Sequence, residues 1–302
     1  MFELLFLGTG ASVPSRDRSL PCVAVRRGAD VVLFDCGEGS QRQLMVSRFS
    51  FMKIRAIFIT HLHGDHFYGL PGLLQTMGMS GRKDPLLVCG PEGFSDALRT
   101  CLDVCEGEIG YPLEIRDVSP GEEIAVEDMA ATVFATEHGI RSQGYVLREP
   151  DVCGKVDTSK SDAYGFTGEE FRILQAGGEV RGVTMQDIIL PPIPGRSVAY
   201  TGDTSKCASV IEAVRGVDVL IHESTYSKED ADLAEAHHHS TSVQAAEVAA
   251  EAGVGTLVLV HLSNRYREAD VISDEAKTVF ENTLIPSDLE MFQQTKNGLR
   301  SV

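Results

Sequence analysis

Residues 58–74, FITHLHGDHFYGLPGLL, decide the fold class, because an apolar run ends there in a dense group of metal-binding residue types. The polar residues are His61, His63, Asp65 and His66. Side chains at alternate positions of a tight loop, such as His61 and His63, converge on one point. Asp65 and His66 turn toward a second point, where another ion could bind. Imidazole and carboxylate with no cysteine nearby suit Zn²⁺, Mn²⁺ or Fe²⁺. The pattern predicts a site for two metal ions.

Two metal ions need more ligands than this loop provides, about seven protein contacts once a bridging water is added. Three further candidates are His138, Asp203 and His261. Each follows an apolar, β-branched run, and open α/β sheets place their sites at the carboxyl ends of such strands. We therefore expect these three side chains to join the loop.

Strand-like and helix-like segments alternate along the chain, which predicts a layered α/β architecture. The alternation is interrupted at residues 148–194, which are rich in glycine and polar side chains. Long connections without structure are uncommon inside a compact domain. We therefore predict one hydrolase domain over residues 1–302, with a protruding arm inserted at 148–194.

Charge and cysteine usage restrict the function classes. The formal net charge of −17 argues against coating of nucleic acid by the whole surface, so a polyanionic substrate would need local cations.

Seven scattered cysteines predict no disulfide framework and favour a reducing cytoplasm. Cys101 and Cys105 could share a metal or one buried helix face. The sequence has no signal-peptide pattern and no apolar run of membrane-spanning length.

The motif order THLHGDH, EH, TGDT and a late H resembles the metallo-β-lactamase superfamily over essentially the whole chain. The resemblance implies a four-layer αββα sandwich and two zinc ions. It implies that one zinc is held by His61, His63 and His138, the other by Asp65, His66 and His261, with Asp203 bridging. These ligands indicate a class of chemistry and leave the substrate open.

Four further stretches resemble the ribonuclease Z family: FLGTGASVPSRDR, LFDCGEGSQRQL, HESTYSKEDADLAEAHHHSTSVQAAEVA and HLSNRY. The resemblance implies an endonuclease that cleaves the 3′ trailer from precursor tRNA, leaving a 3′-hydroxyl on the tRNA and a 5′-phosphate on the trailer. It also implies a homodimer. His239 would face the scissile phosphate, Glu223 would orient His239, and Asp65 would accept a proton.

Histidine usage bears on the same region. Five of the nine histidines are assigned to metal, and the other four are His222, His237, His238 and His239. An imidazole held by a carboxylate is a suitable proton donor to a leaving 3′ oxygen, which supports a role for His239. For His237 and His238 we expect only a polar helix start, with Ser240 or Thr241 near the N-cap.

The arm departs from the family pattern. The family commonly has Gly-Pro at the arm tip, whereas this chain has Gly168-Glu169 within FTGEEFRILQAGGEV. Phosphate contacts by the basic side chains would be opposed by nearby carboxylates. The basic set is Lys155, Lys160, Arg172 and Arg181, and the acidic set is Glu169, Glu170 and Glu179.

Two other function classes compete with a tRNA nuclease. A small-molecule hydrolase of the same fold, such as a phosphodiesterase or a glyoxalase II-like or arylsulfatase-like enzyme, would explain the metal ligands. It would leave the HST region and the arm without a role. An RNA-binding or scaffold protein without turnover would not need the complete ligand set.

Overall fold

The computed structural model describes residues 1–104, 109–266, 269–295 and 298–302. The chain divides into two compact units. The larger unit comprises Met1–Arg148 and Arg196–Val302, and the smaller comprises Glu149–Gly195. In the described residues, no helix combines the length and apolar character that crossing a membrane requires.

The strands form two sheets of the larger unit. They are β1 (Phe2–Gly8), β2 (Cys22–Arg27), β3 (Asp30–Phe34), β4 (Ile54–Phe58), β5 (Leu86–Gly90), β6 (Leu113–Asp117), β7 (Glu123–Val126), β8 (Met129–Ala135), β9 (Gln143–Arg148), β10 (Ser197–Tyr200), β11 (Val219–Glu223), β12 (Thr256–Val260), β13 (Thr283–Leu284), β14 (Met291–Thr295) and β15 (Gly298–Ser301). The first sheet has the order β15-β14-β1-β2-β3-β4-β5-β6, and the second has the order β13-β12-β11-β10-β9-β8-β7.

Helices of the larger unit cover the outer faces of the sheets. The helices among the described residues of both units are α1 (Ser40–Val46), α2 (Gly64–Phe67), α3 (Gly69–Met79), α4 (Phe94–Val104), α5 (Thr158–Tyr164), α6 (Gly168–Gln175), α7 (Ala208–Ala213), α8 (Ala231–Ala236), α9 (Ser242–Ala252) and α10 (Asp270–Lys277). Short 3₁₀ turns lie at Phe51–Lys53, Met185–Ile188 and Lys228–Asp230.

Alternation along the strands builds three hydrophobic layers. In β1, Leu4 and Phe6 enter the core between the sheets, whereas Leu5 and Leu7 face the helices on the outer side. In β12, Val258 enters the core between the sheets and the residues flanking it face the other helix layer. Successive strand residues point to opposite faces, so a strand covered on both sides is apolar throughout. The predicted αββα sandwich is confirmed.

The smaller unit has its own core, formed by Leu174, Val180, Val183 and Ile188. Two antiparallel bridges, Val152 with Ile193 and Val156 with Ile189, bring its two chain ends together.

The stretch that lacks Gly-Pro has a structural use. Thr167 and Glu170 form a capping box that starts α6. In such a box the two side chains accept hydrogen bonds from backbone amides that the first turn of a helix leaves without partners. Glu170 is therefore part of the local fold of the smaller unit.

Cys101 lies on α4 and packs against the core beneath the outer helices. Cys105, the other cysteine considered for a shared metal, lies outside the described residues.

Gly69 and Gly72 in α3 give a matched pair for testing the packing of this helix. A Cβ at Gly69 would lie 2.0 Å from the Gly37 carbonyl oxygen, whereas at Gly72 the nearest atom is Gln41 Oε1 at 3.4 Å. We expect Gly69→Ala to lower the free energy of unfolding by about 1–3 kcal/mol through overpacking. Gly72→Ala should leave it unchanged or raise it by up to about 1 kcal/mol, because alanine is the better helix former. Urea titrations would measure both, and equal effects would contradict the close approach.

Candidate metal centre

The predicted ligands come together where strands of both sheets end. His61 follows β4, His138 follows β8, Asp203 follows β10, and His261 directly follows β12. His261 has a left-handed backbone, with φ of 58°. Gly202, with φ of 60°, allows the chain before Asp203 to lie against Thr60, where a Cβ would be 2.6 Å from that side chain.

One group of donors comprises His61, His63, His138 and Asp203, whose ligand atoms lie within 4.8 Å of one another. His63 Nδ1 is 3.1 Å from His61 Nε2 and 3.2 Å from His138 Nε2. Asp203 Oδ2 is 3.6 Å from His61 Nε2. Four donors in a tetrahedron around zinc lie about 3.3 Å apart, since zinc–ligand bonds are about 2.0–2.1 Å. The spacing therefore fits one metal ion.

A second group comprises Asp65, His66 and His261. Asp65 Oδ2 lies 3.7 Å from His66 Nε2 and 3.5 Å from His261 Nε2. Asp203 reaches this group too, with Oδ2 at 3.3 Å from His66 Nε2 and Oδ1 at 3.4 Å from His261 Nε2. Asp203 is thus placed between the two groups.

Buried polar atoms at this point lack hydrogen-bond partners. They are His66 Nε2, Asp203 Oδ1 and His261 Nε2. A buried polar group without a partner is costly, and such groups are rare in native structures. A cation bound among these atoms would satisfy them. The chemistry of the donors fits a metal-ion site.

Asp35 orients the imidazoles of His66 and His61. This fully buried carboxylate accepts hydrogen bonds from His66 Nδ1 at 2.7 Å, from Tyr200 Oη at 2.9 Å and from the Thr60 amide and hydroxyl. The Thr60 hydroxyl in turn lies 3.0 Å from His61 Nδ1. Both histidines thereby keep Nε2 for a metal, a common arrangement behind metal ligands. Sequence reasoning missed this role of Asp35.

Glu223 orients the imidazoles of His239 and His261 in a similar way. It accepts hydrogen bonds from His239 Nδ1 at 2.7 Å, from the Thr225 hydroxyl at 2.6 Å and from the backbone amide of Thr204 at 2.8 Å. The Thr225 hydroxyl lies 2.8 Å from His261 Nδ1. Glu223 therefore contacts one histidine directly and a metal-ligand candidate through a threonine, a connection that sequence reasoning missed.

The protonation states follow from burial and neighbouring charge. Burial lowers the pKa of His61 and His63, which keeps both neutral and able to bind a cation. Burial alone would raise the pKa of Asp203, but the neighbouring imidazoles of His261 and His66 hold it well below its usual range. For His239, burial lowers the pKa, and the Glu223 carboxylate more than offsets this and raises it to about 9.

The donor groups open into a cavity of about 570 Å³. His239 lies in its wall, beside His63, Asp65, His138 and Asp203. A third possible metal group, Asp203 with His239 and His261, shares two members with the groups above, so it is no independent site. His239 Nδ1 is already bonded to Glu223, which favours a role other than metal binding.

Comparison with known proteins gives the family. The family model described as anti-Pycsar protein Apyc1 matches residues 2–162, just over half of the chain, and that described as beta-lactamase superfamily domain matches residues 174–262. Ribonuclease Z of Methanosarcina acetivorans is 39% identical, covering 96% of this chain and 97% of its own length. Ribonuclease Z of Bacillus licheniformis is 41% identical, covering 95% and 97%. The crystal structure of human tRNase Z, short form, aligns with a TM-score of 0.71 and 26% identity, covering 96% of this chain and 98% of that one.

The αββα sandwich and its histidine–aspartate cluster define a metal-dependent hydrolase of the metallo-β-lactamase superfamily. Within that superfamily the chain belongs to the ribonuclease Z family. The resemblance read from the sequence motifs is confirmed, and the first half of the chain also matches the anti-Pycsar family model.

Asp35→Ala should weaken metal binding although Asp35 is not in either donor group. Removal of the carboxylate leaves His66 Nδ1 and the Thr60 hydroxyl without their acceptor, and loss of such a partner typically costs about 10- to 100-fold in metal affinity. Competition with a chromophoric chelator would measure the affinity of the folded variant. Tyr200→Phe is the control, because it removes only a hydroxyl that donates to Asp35 and contacts no candidate metal ligand. The metal affinity of this variant should stay within about threefold of wild type. Equal affinity in all three proteins would contradict the orienting role.

Proposed function

We propose that this chain is a zinc-dependent endoribonuclease that removes the 3′ trailer from precursor tRNA, leaving a 3′-hydroxyl on the tRNA and a 5′-phosphate on the trailer. Relatives named ribonuclease Z, about 40% identical over nearly the full length, support the proposal. The observation that carries it is His239, which lies in the wall of the metal cavity and donates a hydrogen bond to the buried Glu223. The pair supplies a proton donor, which cleavage at a ribose oxygen requires.

Two zinc ions per chain would be held by the two donor groups, with Asp203 shared. One ion would have His61, His63 and His138, and the other Asp65, His66 and His261. When bound, the ions would lower the pKa of a water and stabilise charge on the phosphoryl oxygens. Mn²⁺ and Fe²⁺ accept similar ligands.

Asp65 and His239 would move the protons. Asp65 Oδ2 accepts a hydrogen bond from the Ser12 amide at 2.9 Å, which fixes the carboxylate in the cavity. From there it would accept a proton from the attacking water. His239 donates a hydrogen bond from Nδ1 to Glu223. Nε2 is therefore the atom that would hold a proton and release it to the leaving 3′ oxygen.

The smaller unit would be the arm that binds the body of the tRNA, as the family resemblance implies, in a homodimer located in the cytoplasm. Two of its four basic side chains already have partners: Arg181 pairs with Glu170 at 3.1 Å, and Lys160 Nζ bonds to the Asp187 carbonyl at 3.2 Å. Lys155 and Arg172 are therefore the first candidates for phosphate contacts. The cysteines in the described part of the chain are free, in keeping with a reducing compartment.

His239→Ala tests the proposed proton donor. We expect both metals to remain bound, and cleavage of precursor tRNA to fall by roughly a hundred- to ten-thousand-fold, the usual contribution of general acid catalysis. Hydrolysis of bis(p-nitrophenyl) phosphate should fall much less, because a phenolate leaves without needing a proton. Elemental analysis and single-turnover cleavage would provide the measurements. Equal losses on the two substrates would make His239 a phosphate clamp, and a small-molecule hydrolase would show no precursor cleavage even in wild type.

Deletion of the smaller unit tests its role in recognition. Residues 157–188 would be replaced by a short Gly-Ser turn, because the bridge between Val156 and Ile189 already joins the chain there. The deleted part contains its own small core, so metal content should persist. Precursor cleavage should fall far more than hydrolysis of bis(p-nitrophenyl) phosphate. A parallel loss of both activities and of metal would mean that the segment is structural.

A further inference from the structure

The run His237–His238–His239 directly follows α8. His238 has a left-handed backbone, with φ of 56°. The His238 amide bonds to the Glu235 carbonyl, and the His239 amide bonds to the Ala234 carbonyl at 2.8 Å. These two bonds form a Schellman motif, in which a residue after the helix takes the conformation usually reserved for glycine. The sequence led us to expect only a helix start in HHHST, and Thr241 does cap α9.

The change of chain direction at His238 brings the rings of His237 and His239 to the same cavity. His237 and His239 both line the cavity that contains the metal donors. The His238 carbonyl meanwhile accepts a hydrogen bond from Nδ1 of His138, a ligand candidate, at 2.9 Å. The position of His237 is therefore coupled to the metal centre, although the side chain is exposed and belongs to neither donor group.

Tyr226 holds the ring of His237. The Tyr226 hydroxyl lies 2.7 Å from His237 Nδ1, and the rings are 6.1 Å apart with an angle of 30°. Tyr226 is itself only 8% exposed, and its ring also lies 6.0 Å from that of His239. With Nδ1 bonded to Tyr226, Nε2 is the polar atom of His237 that remains for a ligand.

The cavity wall has few groups that could bind an anionic chain. In the described parts of the chain, no lysine or arginine lines it, whereas Glu38, Asp65 and Asp203 do. Beyond the metal donors, the side chains with N–H or O–H groups in the wall are Ser12, Tyr68, His237 and His239. A substrate with several phosphates therefore has to rely on these groups and on bound cations.

We propose that His237, held by Tyr226, donates a hydrogen bond from Nε2 to an RNA phosphate next to the scissile one. The ligand is a phosphodiester of the same chain that His239 would act on, and the contact would position the RNA across the metal centre. This inference rests on the proposed function, because a substrate with a single phosphodiester cannot make the contact.

The test compares His237→Ala with His237→Gln, Tyr226→Phe and wild type. A lost hydrogen bond to a charged group should lower kcat/KM for precursor tRNA by roughly 10- to 100-fold in His237→Ala. The loss should be far smaller for bis(p-nitrophenyl) phosphate. His237→Gln keeps a side-chain donor and should recover part of the activity, and Tyr226→Phe should show a smaller loss of the same kind. Met79→Ala, an exposed side chain outside the cavity, is the control and should match wild type.

Precursors with one neutral methylphosphonate on either side of the scissile bond identify the contacted group. At one of the two positions, the methylphosphonate should lower the activity of wild type about as much as His237→Ala lowers activity on the unmodified precursor. On that same modified precursor, His237→Ala should lose little further activity, because both changes remove the same contact. Full additivity at both positions would overturn a phosphate contact and would favour recognition of a base or a sugar.

Two other outcomes separate the causes of failure. If wild type cleaves precursor tRNA and His237→Ala matches it, or loses both substrates equally, the inference is wrong and the proposed function stands. If wild type hydrolyses bis(p-nitrophenyl) phosphate but cleaves no precursor tRNA, the proposed function fails, and the inference fails with it.

Discussion

Two buried carboxylates, Asp35 and Glu223, hold the side chains on which the centre depends. Each accepts a hydrogen bond from one imidazole directly and reaches a second imidazole through a hydroxyl, that of Thr60 or Thr225. A buried charge is tolerated only when it is paired and hydrogen-bonded. The fold therefore has to bring backbone and side-chain donors to both carboxylates, and this requirement fixes the imidazoles in orientations that leave one nitrogen free.

The sandwich meets this requirement because strands of both sheets end beside the cavity. Asp203 shows the consequence, since it lies within 4 Å of imidazoles that follow strands of different sheets. Left-handed backbone at Asp35 and His261 turns the chain immediately after β3 and β12. Such conformations are costly for residues other than glycine and persist where the surrounding structure enforces them. Local strain here accompanies the convergence of the donors.

Charge limits how such a centre can bind RNA. The chain has a formal net charge of −17, and among its described residues three carboxylates line the cavity. In the smaller unit, Arg181 is engaged by Glu170 and by the ring of Phe166, 5.2 Å away. Binding of a polyanion depends on released counterions and therefore on local positive charge. In this molecule that charge would have to come from metal ions and imidazoles at the cavity and from a few basic side chains elsewhere, such as Lys155 and Arg172.

The sequence by itself determined the residue types of the centre, the order of its motifs and the layered architecture. Those features are local, because ligand spacing in one loop and the alternation of strands can be read from neighbouring residues. Only the tertiary structure decided which side chains orient the ligands. Asp35 and His66 are separated by 31 residues, and the His138 ring meets a carbonyl 100 residues away. Contacts of that kind leave no periodic signal, because they arise only when distant strand ends are packed at one edge.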